Sequence, residues 1–208
     1  IATKAYFPTG PGPNARGSSR FHLVRAGKIL YPACSNFAAW QVAHALGVAY
    51  AQHLAPFVAI QPMYNLVKRT AEIELLPMAQ ALGLAVFPYS PTGGGLLAGK
   101  YARDKRPDHG RLVDWQMYAA RYKAPENFAI AEAFTALAAE LGQSPVTLAI
   151  AWVASHPAVT SVLAGARDVD QLAPALAAIE LVLDEPTRAR IAALSPAPPP
   201  ATDRTDEL

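Results

Sequence analysis

Tyr89, Ser90, Pro91, Gly93, Gly94 and Lys100 fall close together in LAVFPYSPTGGGLLAGKY, the stretch from Leu84 to Tyr101. Their types suit one kind of ligand. A tyrosine can lie against a flat ring. A serine hydroxyl and bare glycine backbone can approach an anion closely, and a lysine can meet its charge. The apolar run Leu84–Phe87 follows Gly83, a helix stop, and reads as a buried parallel strand. A flat ring carrying phosphates would then sit just past the strand's C-terminal end. An ordinary Gly/Pro loop after a strand would look the same from this stretch alone.

Three other runs, Lys28–Cys34, Phe57–Gln61 and Val159–Leu163, also read as strands, the first weakened by Pro32. Helices separate them. Asn36 is placed to cap one from about Phe37 to Ala45, with Phe37, Trp40, Ala43 and His44 facing inward. Thr70 opens another, with Ile73, Leu76, Ala79 and Gln80 inward and Gly83 as its stop. Pro125 starts a third in which Ile130, Phe134, Leu137, Ala138 and Leu141 align before Gly142. Ser144-Pro145 is a capping hydroxyl followed by proline at the first helical position, so a fourth runs to about Ser155. That one is apolar nearly all round and should be buried. Asp168 and Asp184 are placed to cap helices reaching Ala178 and Leu194. Between Ala102 and Ala124 the sequence is polar and Pro-interrupted, as in a long surface loop.

Upstream, Ile1–Ala5 suggests a strand end and Phe7–Gly17 a loop. Ser18 or Ser19 could cap a helix reaching Ala26. Strands alternating with helices imply crossovers and a parallel sheet. A doubly wound sheet and a (β/α)8 barrel both fit, and in either a ligand sits at the C-terminal strand ends. Those ends carry Ser35-Asn36, Gln61, Tyr89-Ser90-Pro91 and Gly165-Ala166-Arg167. No strand is followed by GxGxxG, which counts against a Rossmann site.

The totals narrow the function. A chain of 208 residues with 52% hydrophobic and 16% charged fits one domain with a sizeable core. A net charge of +2 without a basic block argues against nucleic acid. No apolar run approaches the ~18 residues of a membrane span. Cys34 is the lone cysteine, so no internal disulfide forms, and it reads as a packing residue. With no secretory signal visible, a reducing, cytoplasmic setting is expected. His44, His53 and His109 make no metal-ligand spacing.

Four motifs in order carry a family resemblance. They are Gly27-Lys28-Ile29 leading to Cys34-Ser35-Asn36-Phe37, Gln61-Pro62-Met63-Tyr64-Asn65, Pro88-Tyr89-Ser90-Pro91 through Leu96-Leu97-Ala98-Gly99-Lys100-Tyr101, and His156-Pro157-Ala158-Val159 to Gly165-Ala166-Arg167. Together the chain resembles the aldo-keto reductase superfamily, in its bacterial and potassium-channel-β-like branch, from about Leu23 to Leu194. The resemblance implies a (β/α)8 barrel binding NADPH across its C-terminal rim and reducing aldehydes or ketones to alcohols. Ser35, Asn36 and Gln61 would hold the nicotinamide carboxamide, and Tyr89 would stack on the ring. Ser90, Pro91, the Gly93 and Gly94 backbone and Lys100 would hold the pyrophosphate. Gly165, Ala166, Arg167 and Gln171 would surround the 2′-phosphate. A planar guanidinium suits a phosphate dianion there and favours NADP over NAD.

The resemblance is incomplete in two places. Pro174 and Ala175 stand where the family has a glutamate and an asparagine that reach the adenine, so adenine binding should be weaker. Family catalysis uses a tyrosine acid helped by an aspartate, a lysine and a histidine. Lys4 matches the lysine, but no tyrosine precedes it in this sequence. The histidine's strand should precede Gly27, yet Ser18–His22 runs straight into Leu23–Lys28, as though one helix–strand unit had been cut out. His22 falls on the resulting hybrid helix and is not taken as a catalyst. About five of eight barrel strands are then expected within residues 1–194, followed by a disordered tail over 195–208. Five strands cannot close like eight. The alternative is a catalytically inactive cofactor-binding remnant or interaction module.

Overall fold

The computed structural model describes residues 29–202. Lys4, the strand end at residues 1–5, and the helix carrying Ser18, Ser19 and His22 lie outside the described residues. Three short parallel strands form a sheet in the order β1 (Ala33–Ser35), β2 (Ala59–Gln61), β3 (Ala85–Val86). The register pairs Cys34 with Ile60 and Ile60 with Val86. The first strand starts later than expected. Leu30 and Tyr31 are 82% and 78% exposed, and Pro32, which has no amide to give, contributes only its carbonyl, to Val58.

The expected fourth strand, Val159–Leu163, is an edge segment without a regular ladder. Thr160 N donates to Val86 O at 2.9 Å and Leu163 N to Pro88 O at 2.9 Å. The Val86 amide goes to the Thr160 hydroxyl at 3.0 Å. A side chain has taken the bond that a backbone acceptor would supply, so the ladder stops there.

Eight α-helices lie among the described residues: α1 (Ala39–Ala51), α2 (Leu75–Ala81), α3 (Arg111–Asp114), α4 (Gln116–Tyr122), α5 (Pro125–Glu140), α6 (Pro145–Ala154), α7 (Val169–Ala177) and α8 (Glu185–Ala192). None is long and apolar enough alone to cross a membrane. α5 and α6 start where their prolines predict, although the Ser144 hydroxyl, expected to cap α6, makes no capping bond. Each starts on proline, and every residue from Thr147 to Val153 is buried. Asp168 and Asp184 cap α7 and α8 by accepting from Gln171 N and Thr187 N.

Three readings need correction. Ala38, not Asn36, is the N-cap of α1, and its amide donates to Gln41 Oε1. The inner stripe of α1 is Val42, Leu46 and Ala49, while Trp40 is 69% exposed and Ala43 and His44 face solvent. The helix expected from Thr70 opens as a 3-10 turn, Thr70–Glu72, in which Glu72 is drawn to Arg69 and Tyr64; α2 starts only at Leu75, and Gln80 is exposed. The segment 102–124 folds into α3 and α4, with Leu112 and Tyr122 buried. The core joins the sheet to these helices through Ile60, Val86, Leu76, Phe134, Leu148 and Trp152.

Candidate functional site

β1 and β2 end side by side at Ser35 and Gln61, and Tyr89, beyond the end of β3, joins them through its parallel bridge to Met63. The Ser35 hydroxyl donates to Gln61 O at 2.7 Å. Asn36 turns into the left-handed region at φ 60° and accepts the Tyr89 hydroxyl at 2.7 Å. That bond is the reason Asn36 is unavailable as a helix cap. The Tyr89 backbone is held from both sides: its amide donates to Pro62 O at 3.0 Å, and it pairs in parallel with Met63 and with Leu163. Burial raises the Tyr89 phenol above its ordinary pKa, and the charge of Arg121 partly offsets this. Cys34, behind Ser35, is pushed up to about 11 by burial, which leaves it a neutral thiol.

Past Tyr89 the backbone turns sharply. Ser90 is left-handed at φ 58°, and so are Gly93 at 62° and Gly94 at 69°. Pro91, Gly93 and Gly94 are buried. A Cβ on Gly94 would lie 2.8 Å from Tyr118 Cδ1, so only glycine lets α4 settle on this turn. Lys100 reaches back over it: its Nζ would lie 3.9 Å from a Cβ on Gly95 and 3.1 Å from one on Gly110. A cation beside a glycine turn suits a phosphate; Gly93 and Gly94 are packed against Tyr122 and Tyr118, so Lys100 beside Gly95 is the group here that fits the pyrophosphate of a dinucleotide.

The other end of the site is built differently. Leu163, paired with Tyr89, leads into Gly165, Ala166 and Arg167, all exposed. Gln171 is exposed too; it binds Asp168 Oδ2 through Nε2 at 3.0 Å, and its Oε1 accepts from Arg167 N at 3.4 Å. Pro174 lies within α7, and its carbonyl accepts the Thr147 hydroxyl at 2.7 Å.

Three residues near the turn have no signature in the sequence, and a fourth, Asn65, stood only as the last residue of the Gln61–Asn65 motif, with no role assigned. Asn65 is fully buried and bonds to Ser90 O. Tyr118, Arg121 and Tyr122 come from α4, in the segment read as a loop. The Arg111 and Arg121 guanidiniums stand 5.6 and 5.2 Å from the Tyr118 ring centroid. The nearest sequence signal was the length of the 102–124 segment.

A parallel α/β architecture that gathers Ser35, Asn36, Gln61 and Tyr89 at its C-terminal strand ends defines the class of fold. The profile of the Aldo/keto reductase family matches residues 21–196, and the chain belongs to that family. It is similar to the uncharacterized oxidoreductase YrpG of Bacillus subtilis (strain 168), with 37% identity over 78% of this chain and 48% of YrpG. It is also similar to protein tas of Escherichia coli (strain K12), with 34% identity over 82% of this chain and 49% of tas. A probable voltage-gated potassium channel subunit beta of Oryza sativa subsp. japonica matches at 32% identity, over 88% of this chain and 68% of the relative. The chain thus spans about half the length of YrpG and tas. The rice alignment covers 225 positions, more than the whole chain of 208, so that relative carries residues with no counterpart here. This agrees with a barrel that is incomplete in this chain. The family fold is a (β/α)8 barrel, and the three-stranded parallel sheet with its helices is consistent with part of one.

Proposed function

We propose that this chain is the cofactor-binding part of an NADP(H)-dependent oxidoreductase that reduces aldehydes or ketones to alcohols. The observation that carries the reading is the convergence of Ser35, Asn36, Gln61 and Tyr89 at adjoining strand ends, next to a left-handed glycine turn under Lys100. When bound, the dihydronicotinamide supplies hydride to the carbonyl carbon of a small substrate. Ser35, Asn36 and Gln61 orient the carboxamide. Tyr89 covers one ring face and leaves the other for the substrate. Ser90, Pro91, Gly93, Gly94 and Lys100 hold the pyrophosphate, and Gly165, Ala166, Arg167 and Gln171 hold the 2′-phosphate. Lys4 is the family's catalytic lysine by position, a remnant without the tyrosine it would assist. YrpG, similar over most of this chain, is named an oxidoreductase, which supports the class. A cytoplasmic location accords with the reading.

The test is a titration of the chain with NADPH and NADH, following tryptophan quenching. Trp115 is a local reporter, with its ring centroid 6.3 Å from that of Tyr118. Saturable NADPH binding at micromolar concentration, lost in Tyr89→Ala and weaker for NADH, is the expected result. A folded chain that binds neither cofactor overturns the reading.

A further inference from the structure

We propose that Asn65 and Tyr122 are positioning residues: a buried hydrogen-bond chain from α4 to Ser90 fixes the ring of Tyr89 for contact with the nicotinamide. The inference rests on the NADP(H) reading above. It deepens that reading by adding two residues that touch neither cofactor nor substrate.

Asn65 is 0% exposed, and its side-chain amide is fully engaged. Nδ2 donates to Ser90 O at 2.9 Å and to the Tyr122 hydroxyl at 3.3 Å. Oδ1 accepts from Val67 N at 3.1 Å. Its backbone is pinned as well, since Lys68 N donates to Asn65 O at 2.9 Å. A buried amide satisfied in this way has one orientation.

Ser90 is where the chain acts. It is a non-glycine residue at φ 58°, a conformation that needs outside support. Its carbonyl accepts twice, from Asn65 Nδ2 and from Gly93 N at 2.9 Å. The Ser90–Pro91 peptide, one residue past Tyr89, is therefore set by Asn65 on one side and by the glycine turn on the other. Tyr122 in turn orients Asn65. Its ring is 0% exposed, burial raises its phenol so that the hydroxyl stays neutral, and the hydroxyl also points to Met63 Sδ at 3.8 Å. A Cβ on Gly93 would lie 3.6 Å from Tyr122 Cε1, and one on Gly94 would meet Tyr118, so α4 rests on both glycines.

Without the Tyr122 hydroxyl, the glycine turn keeps its own bonds, Gly93 N to Ser90 O and Leu97 N to Thr92 O. Asn65 loses an anchor, and the slack falls on the Ser90–Pro91 peptide and, through the left-handed Ser90, on the chain leaving Tyr89. The effect should therefore be specific to a ligand with a nicotinamide ring.

The experiment compares the full chain with Tyr122→Phe, which keeps the ring volume, and with Asn65→Asp, which keeps the shape but removes the donor. Each is titrated with NADPH and with 2′-phospho-ADP-ribose, which has the same phosphates and no nicotinamide. Amide exchange is followed over residues 89–93. Tyr122→Phe is expected to weaken NADPH about tenfold, the scale of one lost hydrogen bond. It should change the emission of bound NADPH, leave the analogue within about twofold, and speed exchange at Tyr89 and Ser90. Asn65→Asp should act in the same direction and more strongly. Equal weakening of both ligands, or unchanged NADPH affinity and emission, overturns the inference. If the unaltered chain binds the analogue but not NADPH, Tyr89 positions nothing and the inference falls. If it binds neither ligand, the cofactor reading itself falls, and unchanged exchange in Tyr122→Phe then removes the hydrogen-bond chain as well.

Discussion

At the Tyr89 end of the rim, Pro91, Gly93 and Gly94 are buried, Ser90 is held by Asn65, and α4 packs on the turn. At the Arg167 end, Gly165, Ala166, Arg167 and Gln171 are exposed, and α7 buries none of its residues. Val169, Leu172 and Leu176 of α7 face solvent at 77%, 40% and 53%. The first end is preorganised, so a ligand loses little free energy in ordering it. The second is held by the Asp168 cap and the Thr147–Pro174 bond, and further ordering must come with the ligand. If the proposed function holds, a dinucleotide spanning both finds its ring and pyrophosphate contacts ready and its 2′-phosphate contact still to be assembled.

Gly94→Ala should break the comparison most severely. The new Cβ meets Tyr118 at 2.8 Å, and φ is 69°. Backbone strain and overpacking each cost about 1–3 kcal/mol. Thermal unfolding should shift down by several degrees, and NADPH affinity should fall by about a hundredfold or more. Wild-type affinity in a folded variant would mean that the turn is not a phosphate cradle.

Arg167→Ala should show the opposite pattern. The side chain is exposed, so the melting temperature should stay where it is. NADPH binding should weaken by about 1.5–3 kcal/mol, the range for a hydrogen bond to a charged group, and NADH binding should not change. Equal loss for both cofactors would place Arg167 on a group they share.

The same contrast explains what could be read from the sequence. α5 was legible because its proline start, apolar spacing and Gly142 stop agree locally, and α6 because of its proline start and nearly continuous apolar run. The strand ends were legible too, because a short apolar run followed by polar residues marks where a parallel strand stops. That brought Ser35, Gln61 and Tyr89 into view together. Asn36 was misread because a cap and a tyrosine partner need the same residue type, and tertiary contact decides between them. Trp40 was placed inside because it is large and apolar, whereas the helix register selects Val42 and Ala49. Asn65 showed only as the end of the Gln61–Asn65 motif, without a role, and Tyr122 did not show at all. Their work depends on a carbonyl and a hydroxyl brought together only by folding, and α4 is too short to show a period.

Asp168→Ala should have a smaller and more local effect. Loss of an N-cap costs about 0.5–2 kcal/mol. Because α7 contributes nothing buried, that cost should appear as faster amide exchange across Val169–Ala177 and a few-fold weaker NADPH binding, with global unfolding unchanged. A cooperative loss of the whole fold would show that α7 is coupled to the core after all.

Acid should distinguish the two regions with the smallest effect. Glu72 and His156 both belong to the packed region. The Tyr64 hydroxyl donates to Glu72 Oε1 at 2.7 Å, and the Tyr64 ring stands edge-on to His156 with centroids 5.7 Å apart. Burial opposes ionisation of Glu72, but the bonds from Arg69 and Tyr64 outweigh it and hold the carboxyl below its ordinary pKa. Burial, assisted by the charge of Arg188, lowers His156. In each case the unfolded chain binds the proton more readily than the folded one, so stability rises with pH. The His156 contribution is complete above its unfolded value of 6.5 and is lost as pH falls from there through the folded value. The Glu72 contribution is lost lower, as pH falls from 4.5 through its folded value. The melting temperature should therefore decline in two steps on acidification, and His156→Gln should flatten only the upper one. If the upper step survives that substitution, another group carries it, and the packed end is not the acid-sensitive part of the molecule.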